Sequence, residues 1–401
     1  MQAVILAAGK STRTYPLTLT KPKPLLKVAN ETIIEHNLKQ LDGLVSEVVI
    51  VLGYKGKMVE NFLGGKFGKM KIQYVFQEKL SGNADALKSA REKIKGRFIL
   101  MFGDDLYSGK DIKKLLKHQN AILAGKVENP ECFGALKTEG DNFREVIEKP
   151  KEFISDLVNT GCFVFAKDIF DFLDKIKPSS RNEYELTDAY NLMVQKENIK
   201  IVQTKDYWLP MTYPWSLIEA NSFILGRIEY SKSKKSKVEK GAVLKGEVII
   251  GENTLIKSGS YIEGPVMIGK NCVIGPNCYL RAFTTVGNNC HIGQAVEIKN
   301  SIIGDNTNVA HLSYVGDSIM GDNCNLGAGT IAANLRHDGK NIKCMINGEL
   351  KDSGRRKLGF IMGDGCKTGV HTSFYPGVKI NPGCLTLPGE VVKRDLEKNN
   401  F

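Results

Sequence analysis

A period of six residues dominates the second half of the chain and constrains its fold more than any other feature. The aliphatic residues that set this period are Ile250, Ile256, Ile262, Ile268, Ile274, Leu280, Val286, Ile292 and Ile298. Neither the 3.6-residue helical period nor the two-residue strand period accounts for this spacing. It is typical of hexapeptide repeats, in which one aliphatic side chain per short strand points into a parallel β-helix and glycine or asparagine takes the turn. The sequence therefore predicts a parallel β-helix over 240–395.

Most of the cysteines share one position in this repeat, four residues after an inward aliphatic residue. These are Cys272, Cys278, Cys290, Cys324, Cys366 and Cys384. Cysteine behaves there as a small apolar side chain, and the chain has no CxxC motif. The spacing predicts packing residues rather than disulfides or metal ligands.

The first half alternates apolar runs with helical patterns. The runs that are typical of buried strands lie at 3–8, 48–53, 97–104 and 162–166. A helix is expected after Asn30 as N-cap, with one buried face made of Ile33, Ile34, Asn37, Leu38 and Leu41. This alternation predicts a Rossmann-like α/β domain over 1–228, whose mostly parallel sheet is covered on both faces and binds ligands at the carboxyl ends of its strands.

Charge and hydropathy limit the kinds of partner. The chain has 401 residues and a formal net charge of +12 at pH 7. Its lysines are dispersed, which favours small anionic substrates over a nucleic-acid partner. The one dense run, 231–237, is expected to be solvated within a linker over 229–239.

No apolar run approaches the ~18 residues of a membrane span, and the first residues are typical of a buried strand rather than a leader, so we expect a cytoplasmic protein with no membrane partner.

A glycine turn follows the first strand, in the string Leu6-Ala7-Ala8-Gly9-Lys10-Ser11-Thr12-Arg13. Such a turn exposes backbone N–H groups to phosphate oxygens. With Pro16-Leu17-Thr18 and Lys21-Pro22-Lys23-Pro24, the string resembles the signature of the sugar-1-phosphate nucleotidylyltransferases, although Ser11 replaces the usual glycine. The resemblance implies that Arg13 and Lys23 stabilise charge during transfer. It implies a nucleotide site made of Leu6, Ala8, Gly9, Arg13, Gln77 and Gly82.

Further segments match the same family in order. The resemblance assigns the sugar phosphate to Gly103, Glu148 and Asn159, and a Mg²⁺ ion to Asp104. One departure concerns the metal. The family usually has a second metal-binding aspartate where this chain has Pro210, and a glycine where it has Thr212. Two alternatives therefore remain open. Either Asp104 is the one carboxylate that holds the metal and nucleotidyl transfer is intact, or the first domain is impaired.

The segment His311-Leu312-Ser313-Tyr314-Val315-Gly316-Asp317 and the string from Asn325 to Thr330 do not belong to a plain scaffold. They resemble the acetyltransferase domain of the bifunctional N-acetylglucosamine-1-phosphate uridyltransferases, which have a left-handed β-helix. The resemblance implies a homotrimer that uses acetyl-CoA. It implies His311 as general base, since histidine side chains titrate near neutral pH, and Glu297 as the carboxylate that orients it.

The same resemblance implies the remaining acetyl-site residues. The phosphosugar positions are Arg281, Lys299, Tyr314 and Asn325, and the acetyl-CoA positions are Ala328 and Asn334. The insertion at 335–358 is either a solvated loop or a loop that closes over CoA phosphates. The histidines interpreted as surface or core residues are His36, His118, His291, His337 and His371.

Four functions remain open on sequence alone. The first is a bifunctional enzyme that acetylates glucosamine-1-phosphate or galactosamine-1-phosphate and couples the product to UTP or dTTP. The second is an acetyltransferase with a disabled first domain. The third is a non-catalytic regulatory subunit, and the fourth is a GDP-mannose or ADP-glucose pyrophosphorylase. The histidine segment favours the first two.

Overall fold

The computed structural model describes residues 1–179 and 181–398. Its contacts divide the chain into two compact units. The first unit contains Met1–Lys10, Pro22–Leu25 and Ile33–Pro210; the second contains Ser11–Lys21, Leu26–Thr32 and the residues from Met211 onward. The sequence predicted one domain over 1–228. The structure instead gives three parts of that range to the second unit, namely 11–21, 26–32 and 211–228.

The first unit is built on a ten-stranded sheet. In spatial order its strands are Gly134–Glu139, Asn142–Glu148, Lys200–Gln203, Ala121–Lys126, Leu157–Phe165, Phe98–Phe102, Gln2–Ala7, Glu47–Leu52, Met70–Phe76 and Lys66–Phe67. Gln2–Ala7 pairs in parallel with both of its neighbours. Leu157–Phe165 runs antiparallel to the strands on its two sides, so the sheet is mixed.

Both faces of this sheet are covered, because alternate side chains of the central strand enter two different cores. Val4 and Leu6 pack into one core, and Ala3, Ile5 and Ala7 into the other. This two-sided burial explains why the strand is a continuous apolar run. The helices of the unit are Ile33–Leu41, Gly56–Leu63, Asn83–Ser89, Gly109–Leu115, Ile169–Leu173 and Leu186–Met193.

The helix Ile33–Leu41 confirms the predicted apolar face, since its buried residues are the five expected ones. Its predicted cap was wrong. Glu31–Thr32 forms a strand pair with Lys27–Val28, so Asn30 lies in the turn between these strands, with φ of 60°. Asparagine favours that left-handed conformation as well as helix caps, and the sequence alone does not separate the two uses.

In the second unit, the helix Ser216–Leu225 precedes three parallel sheets, which we call the β-coil. Its first face comprises Ser231–Lys232, Val248–Ile250, Val266–Ile268, Thr284–Val286, Ile302–Ile303, Ile319–Met320, Ile361–Met362 and Lys379–Ile380. Its second face comprises Lys237–Val238, Leu255–Ile256, Val273–Ile274, His291–Gln294, Asn308–His311 and Asn325–Leu326. Its third face comprises Val243–Lys245, Tyr261–Glu263, Tyr279–Leu280, Glu297–Lys299, Tyr314–Gly316, Ile331–Ala332, Ser373–Phe374 and Val391–Val392.

The chain visits the three faces in turn, so each strand pairs with the strand one coil later, as Val248 does with Val266. The predicted inward residues, Ile250 through Ile298, all lie in one buried core. All nine cysteines are free, and eight of them are buried. Packing therefore accounts for the cysteine positions in the β-coil.

The basic run at 229–239 differs from the predicted linker. Ser231–Lys232 pairs in parallel with Ile249–Ile250, and Lys237–Val238 pairs with Leu255–Ile256. This run is the first coil, and its aliphatic signal is weak because it has a neighbouring coil on one side only.

The insertion at 335–358 also has regular structure. Lys343–Ile346 and Glu349–Asp352 form an antiparallel hairpin, in which Cys344 and Ile346 are buried. No helix of the described residues is long and apolar enough to cross a membrane.

Candidate active sites

The carboxyl end of the strand Gln2–Ala7 carries the first predicted nucleotide residues. The Gly103 N–H donates to the Leu6 carbonyl at 2.8 Å, and a Cβ on Gly103 would lie 2.8 Å from a side-chain carbon of that strand. Only glycine fits this close approach. Leu6 and Ala8 are buried, whereas a Cβ on Gly9 would meet no atom within 4 Å. The structure thus brings Leu6, Ala8, Gly9 and Gly103 together at one strand end.

The predicted metal ligand and a predicted catalytic lysine are in contact. Asp104 follows the adjacent strand Phe98–Phe102, and Lys23 lies in the short helical turn Lys23–Leu25. Lys23 Nζ is 2.9 Å from Asp104 Oδ2; the lysine side chain is 4% exposed and the carboxylate 39% exposed. The buried ammonium therefore fixes a carboxylate that still faces solvent.

The neighbouring carboxylate has a structural partner. Asp105 Oδ2 accepts the indole N–H of Trp208 at 3.1 Å. The strand Trp208–Leu209 pairs antiparallel with Leu106–Tyr107. Pro210, which is predicted to replace the family's second aspartate, directly follows this strand.

These residues fit a magnesium ion that is shared with substrate. Mg²⁺ uses one or two carboxylates and completes its octahedron with phosphate oxygens and water. Asp104 offers one solvent-facing carboxylate. Across residues 1–179 and 181–398, no group of three His, Cys, Asp or Glu side chains is placed to hold a metal. A metal at Asp104 would thus depend on the phosphates of the nucleotide.

The predicted base-reading residue sits in a tight loop. Gln77 Nε2 donates to the Gly82 carbonyl at 3.1 Å and to Asp85 Oδ2 at 2.8 Å. Gly82 has φ of +112°, and a Cβ there would lie 2.3 Å from the Tyr184 carbonyl oxygen. Glycine is therefore required at this position, and the amide of Gln77 is held in one orientation.

Two of the predicted sugar-phosphate residues, Glu148 and Asn159, occupy a different part of the sheet from Gly103. Asn159 Nδ2 donates to Tyr190 Oη at 2.9 Å, and Asn159 Oδ1 accepts the Gly161 N–H at 2.8 Å. Glu148 is exposed on the strand Asn142–Glu148. Burial raises the pKa of Tyr190 well above its usual value, and the Glu148 carboxylate raises it further. Glu148 and Asn159 are thus linked through one buried tyrosine.

Arg13 belongs by its contacts to the second unit. It lies in the helical turn Thr12–Thr14, which follows Ser11 at φ of 52°. A serine in this left-handed conformation costs about 1–2 kcal/mol relative to glycine, which explains why glycine is usual there. Thr14 Oγ1 and Thr18 Oγ1 both donate to the Ser11 carbonyl, at 2.8 and 2.9 Å, and so hold the turn compact.

The third face of the β-coil carries most of the predicted phosphosugar residues. Tyr279, Glu297 and Tyr314 occupy successive positions of one column. Arg281 Nη1 lies 2.8 Å from Glu297 Oε1. This hydrogen bond is the main cause that raises the pKa of Arg281.

His311 and Asn325 lie on the second face rather than the third. His311 ends the strand Asn308–His311, and Asn325 pairs with Asn308 one coil earlier. Across the described ranges, the hydrogen bond of the Glu297 side chain goes to Arg281, and none joins it to His311. Within one chain the Glu297 carboxylate therefore bonds to Arg281, and its role of orienting His311 stays a prediction.

A buried aspartate that the sequence analysis did not select joins the acetyl-site residues. Asp317 is 3% exposed. Asp317 Oδ2 accepts from Asn334 Nδ2 at 2.6 Å and lies 3.7 Å from Lys299 Nζ. Asp317 Oδ1 accepts from Asn300 Nδ2 at 2.7 Å.

Two further contacts extend this cluster. Asn334 Nδ2 also donates to Tyr314 Oη at 3.2 Å, while Arg355 Nη2 of the insertion lies 4.0 Å from Asp317 Oδ1. The Asp317 cluster therefore connects Lys299, Tyr314 and Asn334 with the insertion. One feature of the sequence could have indicated Asp317, namely that it is the last residue of the histidine segment. However, an aspartate after a glycine is also typical of an ordinary turn, and Asp317 does have the left-handed φ of 50° that such turns use.

For the acetyl transfer that the sequence resemblance implies, we expect the substitution Asp317→Asn to lower the rate by about 10–100-fold, because small displacements of positioning groups cost rates of that order. Asparagine tolerates the left-handed backbone and keeps an acceptor, but it removes the charge between Lys299 and Arg355. The measurement is CoA release from acetyl-CoA and glucosamine-1-phosphate. Nucleotidyl transfer by the same preparation is the control, and a rate within twofold of wild type would contradict this role for Asp317.

Comparison with known proteins defines the family. Residues 2–227 match the nucleotidyl transferase family, and residues 262–351 match the family described as GMPPB C-terminal domain. A protein of Methanocaldococcus jannaschii named bifunctional protein GlmU is 39% identical over 402 residues, which is 100% of this chain and 97% of that protein. The chain belongs to the nucleotidyl transferase family and to its bifunctional members.

Other members of the family agree with this placement. A Sulfurisphaera tokodaii protein named bifunctional sugar-1-phosphate nucleotidylyltransferase/acetyltransferase is 38% identical over 405 residues, which is 100% of this chain and 99% of that protein. Among solved structures, a Bacillus anthracis protein assigned as a glucose-1-phosphate thymidylyltransferase is 27% identical with a TM-score of 0.52, over 58% of this chain and 98% of its own. This nucleotidyl transferase family member is therefore a transferase.

Proposed function

We propose that this chain catalyses two successive transfers. It first moves an acetyl group from acetyl-CoA to the amine of glucosamine-1-phosphate or galactosamine-1-phosphate. It then couples the sugar phosphate to UTP or dTTP with release of pyrophosphate. The Asp317 cluster, which joins Lys299, Tyr314 and Asn334, is the single observation that carries the proposal, because a scaffold has no use for a buried carboxylate between two cations. The printed names of the full-length relatives support both activities.

In the acetyl step, the sugar amine must lose a proton before its nitrogen attacks the thioester carbonyl. His311 takes that proton as general base, and the C–S bond breaks to release CoA. Arg281, Lys299, Tyr314 and Asn325 hold the phosphosugar, while Ala328 and Asn334 lie at the acetyl group of acetyl-CoA. Glu297 acts on the phosphosugar side through Arg281.

The active assembly that we propose is a homotrimer of left-handed β-helices. Asn325 and His311 lie on the second face of the β-coil, whereas Glu297 and Tyr314 lie on the third. A ligand that touches both sets fits between neighbouring copies of the chain. The hexapeptide spacing supports the left-handed β-helix.

In the nucleotidyl step, a phosphate oxygen of the sugar attacks the α-phosphorus of the nucleotide, and pyrophosphate leaves. Asp104 would hold Mg²⁺, which supplies charge neutralisation when bound. Lys23 positions Asp104, and Arg13 stabilises the developing charge. Leu6, Ala8, Gly9 and Gly82 shape the nucleotide site, while Gly103, Glu148 and Asn159 serve the sugar phosphate.

The nucleobase selection rests on Gln77. Its amide nitrogen donates to Gly82 and Asp85, which leaves its carbonyl oxygen as the acceptor for a base. Uracil and thymine both carry an N3–H donor. The geometry therefore supports UTP and dTTP equally.

A second candidate function is acetyl transfer alone, and Pro210 is the observation that favours it. If the missing carboxylate limits metal binding, the double substitution Pro210→Asp and Thr212→Gly should raise nucleotidyl transfer. Residues that only hydrogen-bond to a metal ligand already change metal affinity by about 10–100-fold when they are mutated. Because the restored aspartate would bind the metal directly, we expect the Mg²⁺ concentration for half-maximal rate to fall by about tenfold or more. Pyrophosphate release over a Mg²⁺ series measures it. An unchanged Mg²⁺ requirement would show that Pro210 does not occupy the metal position.

The proposed function is tested by two assays on one preparation of the wild-type chain. CoA release is followed with acetyl-CoA and glucosamine-1-phosphate, and pyrophosphate release with N-acetylglucosamine-1-phosphate, UTP and Mg²⁺. Both products are expected. Release of CoA alone would support the second candidate, and release of neither would reject both.

A further inference from the structure

Four aspartate or asparagine side chains form a ladder along the β-coil, because each lies at the same turn in one of four successive coils. Asn288 Oδ1 accepts the Lys270 N–H at 2.9 Å. The next three rungs repeat this bond at 2.8 Å each: Asp305 accepts from Asn288, Asp322 from Asp305, and Asp364 from Asp322. Each rung uses Oδ1 to cap the backbone of the coil before it.

In each aspartate rung, the other carboxylate oxygen, Oδ2, contacts a residue from the first thirty residues of the chain. Lys21 Nζ pairs with Asp322 Oδ2 and lies 3.1 Å from Asp364 Oδ2. Thr20 Oγ1 donates to Asp364 Oδ2 at 2.6 Å, and Lys27 Nζ lies 2.5 Å from Asp305 Oδ2. Asn288 caps its turn in the same way, and within residues 1–179 and 181–398 it pairs with none of these lysines, so capping alone does not require a charge.

These ion pairs are shielded from water, which makes them stronger than surface pairs. The side chains of Lys21, Asp322 and Asp364 are 16%, 28% and 19% exposed. Burial opposes the charge of Lys21, but the two carboxylates outweigh it and raise the pKa of Lys21. Burial likewise opposes the charge of Asp322, while Lys21 outweighs it and lowers the pKa of that carboxyl.

The anchored residues end a compact segment that carries Arg13. The hydroxyl oxygens of Thr14 and Thr18 lie 3.0 Å apart, and Thr18 is fully buried. The Leu17 N–H donates to the Thr14 carbonyl at 3.1 Å. At the other end of the segment, Asn347 of the insertion hairpin donates to Thr12 Oγ1 at 3.2 Å. The β-coil and its insertion hairpin therefore hold the two ends of the segment 12–21.

We propose that Asp322 and Asp364 are positioning residues for nucleotidyl transfer, acting through Lys21 and Thr20 on the segment that carries Arg13. Lys21 also lies two residues before Lys23, whose ammonium fixes Asp104. Loss of the anchor thus frees the segment before Lys21, whereas Lys27 keeps its own pair with Asp305. The inference rests on the proposed nucleotidyl transfer, and the anchoring itself is measurable without it.

The test is the double substitution Asp322→Asn and Asp364→Asn in the full chain. Asparagine keeps the Oδ1 that caps the turn, as Asn288 does, and removes only the charge. We expect pyrophosphate release to fall by about 10–100-fold, CoA release to stay within twofold of wild type, and amide hydrogen exchange of the peptide 11–21 to accelerate at least about tenfold.

Asp395→Asn is the matched control. Asp395 caps the Lys379 N–H at 2.8 Å and lies 3.2 Å from Lys379 Nζ, with side chains 24% and 14% exposed. It is thus the same kind of capping ion pair within the β-coil, without a partner from the first segment. We expect no change in pyrophosphate release or in exchange of the peptide 11–21.

A second variant separates anchoring from direct catalysis by Lys21. Adding Lys21→Met to the double substitution should not lower pyrophosphate release further, because all three substitutions remove the same interaction between Lys21 and the two aspartates. A further loss of pyrophosphate release would indicate that Lys21 contacts the substrate directly, and it would contradict the proposed anchoring role. Unchanged exchange of the peptide 11–21, equal loss of both activities, or the same loss in Asp395→Asn would also overturn it. If wild type releases no pyrophosphate but exchange accelerates as expected, the proposed nucleotidyl transfer fails while the anchor stands.

Discussion

The substitution His311→Ala is expected to lower acetyl transfer by about 10²–10⁴-fold, which is the usual contribution of a positioned general base. The side chain of His311 is exposed at the end of the strand Asn308–His311. It is therefore free of the packing that would make its truncation disruptive. CoA release measures the effect, and pyrophosphate release should stay at the wild-type rate.

The matched control for this variant is His291→Ala. His291 lies on the same face of the β-coil, in the column that includes Asn308. Burial is the main cause that lowers the pKa of His291, as expected of a packing residue. An equal loss in both variants, or acetyl transfer by His311→Ala within tenfold of wild type, would remove His311 from the role of base.

The substitution Asp104→Asn is expected to lower nucleotidyl transfer by about 10²–10³-fold. Stabilisation of transition-state charge by a metal ion is worth several kcal/mol, and each 1.36 kcal/mol is a factor of about ten. Asparagine keeps an acceptor for Lys23, so the buried ammonium retains a hydrogen bond. Pyrophosphate release at saturating Mg²⁺ measures the effect, with CoA release as the internal control.

Asp105→Asn is the neighbouring control for Asp104. Its carboxylate accepts the Trp208 indole N–H, and an asparagine oxygen can accept the same bond. We expect a change of no more than a few-fold. If Asp105→Asn were as damaging as Asp104→Asn, both carboxylates would have to be assigned to the metal.

The periodic features of the sequence predicted the local structure. The six-residue spacing led to the buried core of the β-coil, and the pattern from Ile33 to Leu41 led to a helix with the expected buried face. These predictions hold because periodicity records which side chains face a core. The predictions for Asn30 and the run 229–239 were wrong, because asparagine favours several turn conformations and the first coil has only a weak aliphatic signal.

Contacts between distant residues could not be predicted in this way. Asp317 reads as a turn residue until Lys299 and Asn334 are seen beside it. Lys21 and Asp322 are separated by 301 positions, and no local pattern in either segment indicates the other. Motif resemblance supplied the candidate residues, but it did not indicate the pairing of Glu297 with Arg281, which only the structure shows.

The central claim is that one chain carries two separate active sites that act in sequence. The most direct test is a single incubation of glucosamine-1-phosphate, acetyl-CoA, UTP and Mg²⁺, with UDP-N-acetylglucosamine followed by mass spectrometry. Wild type should form the product, His311→Ala and Asp104→Asn should each form almost none, and a mixture of the two variants should restore it, because the acetylated sugar phosphate passes between them in solution. A mixture that stays inactive while wild type forms the product would contradict the account of two separate sites, and no product from wild type would contradict the function itself.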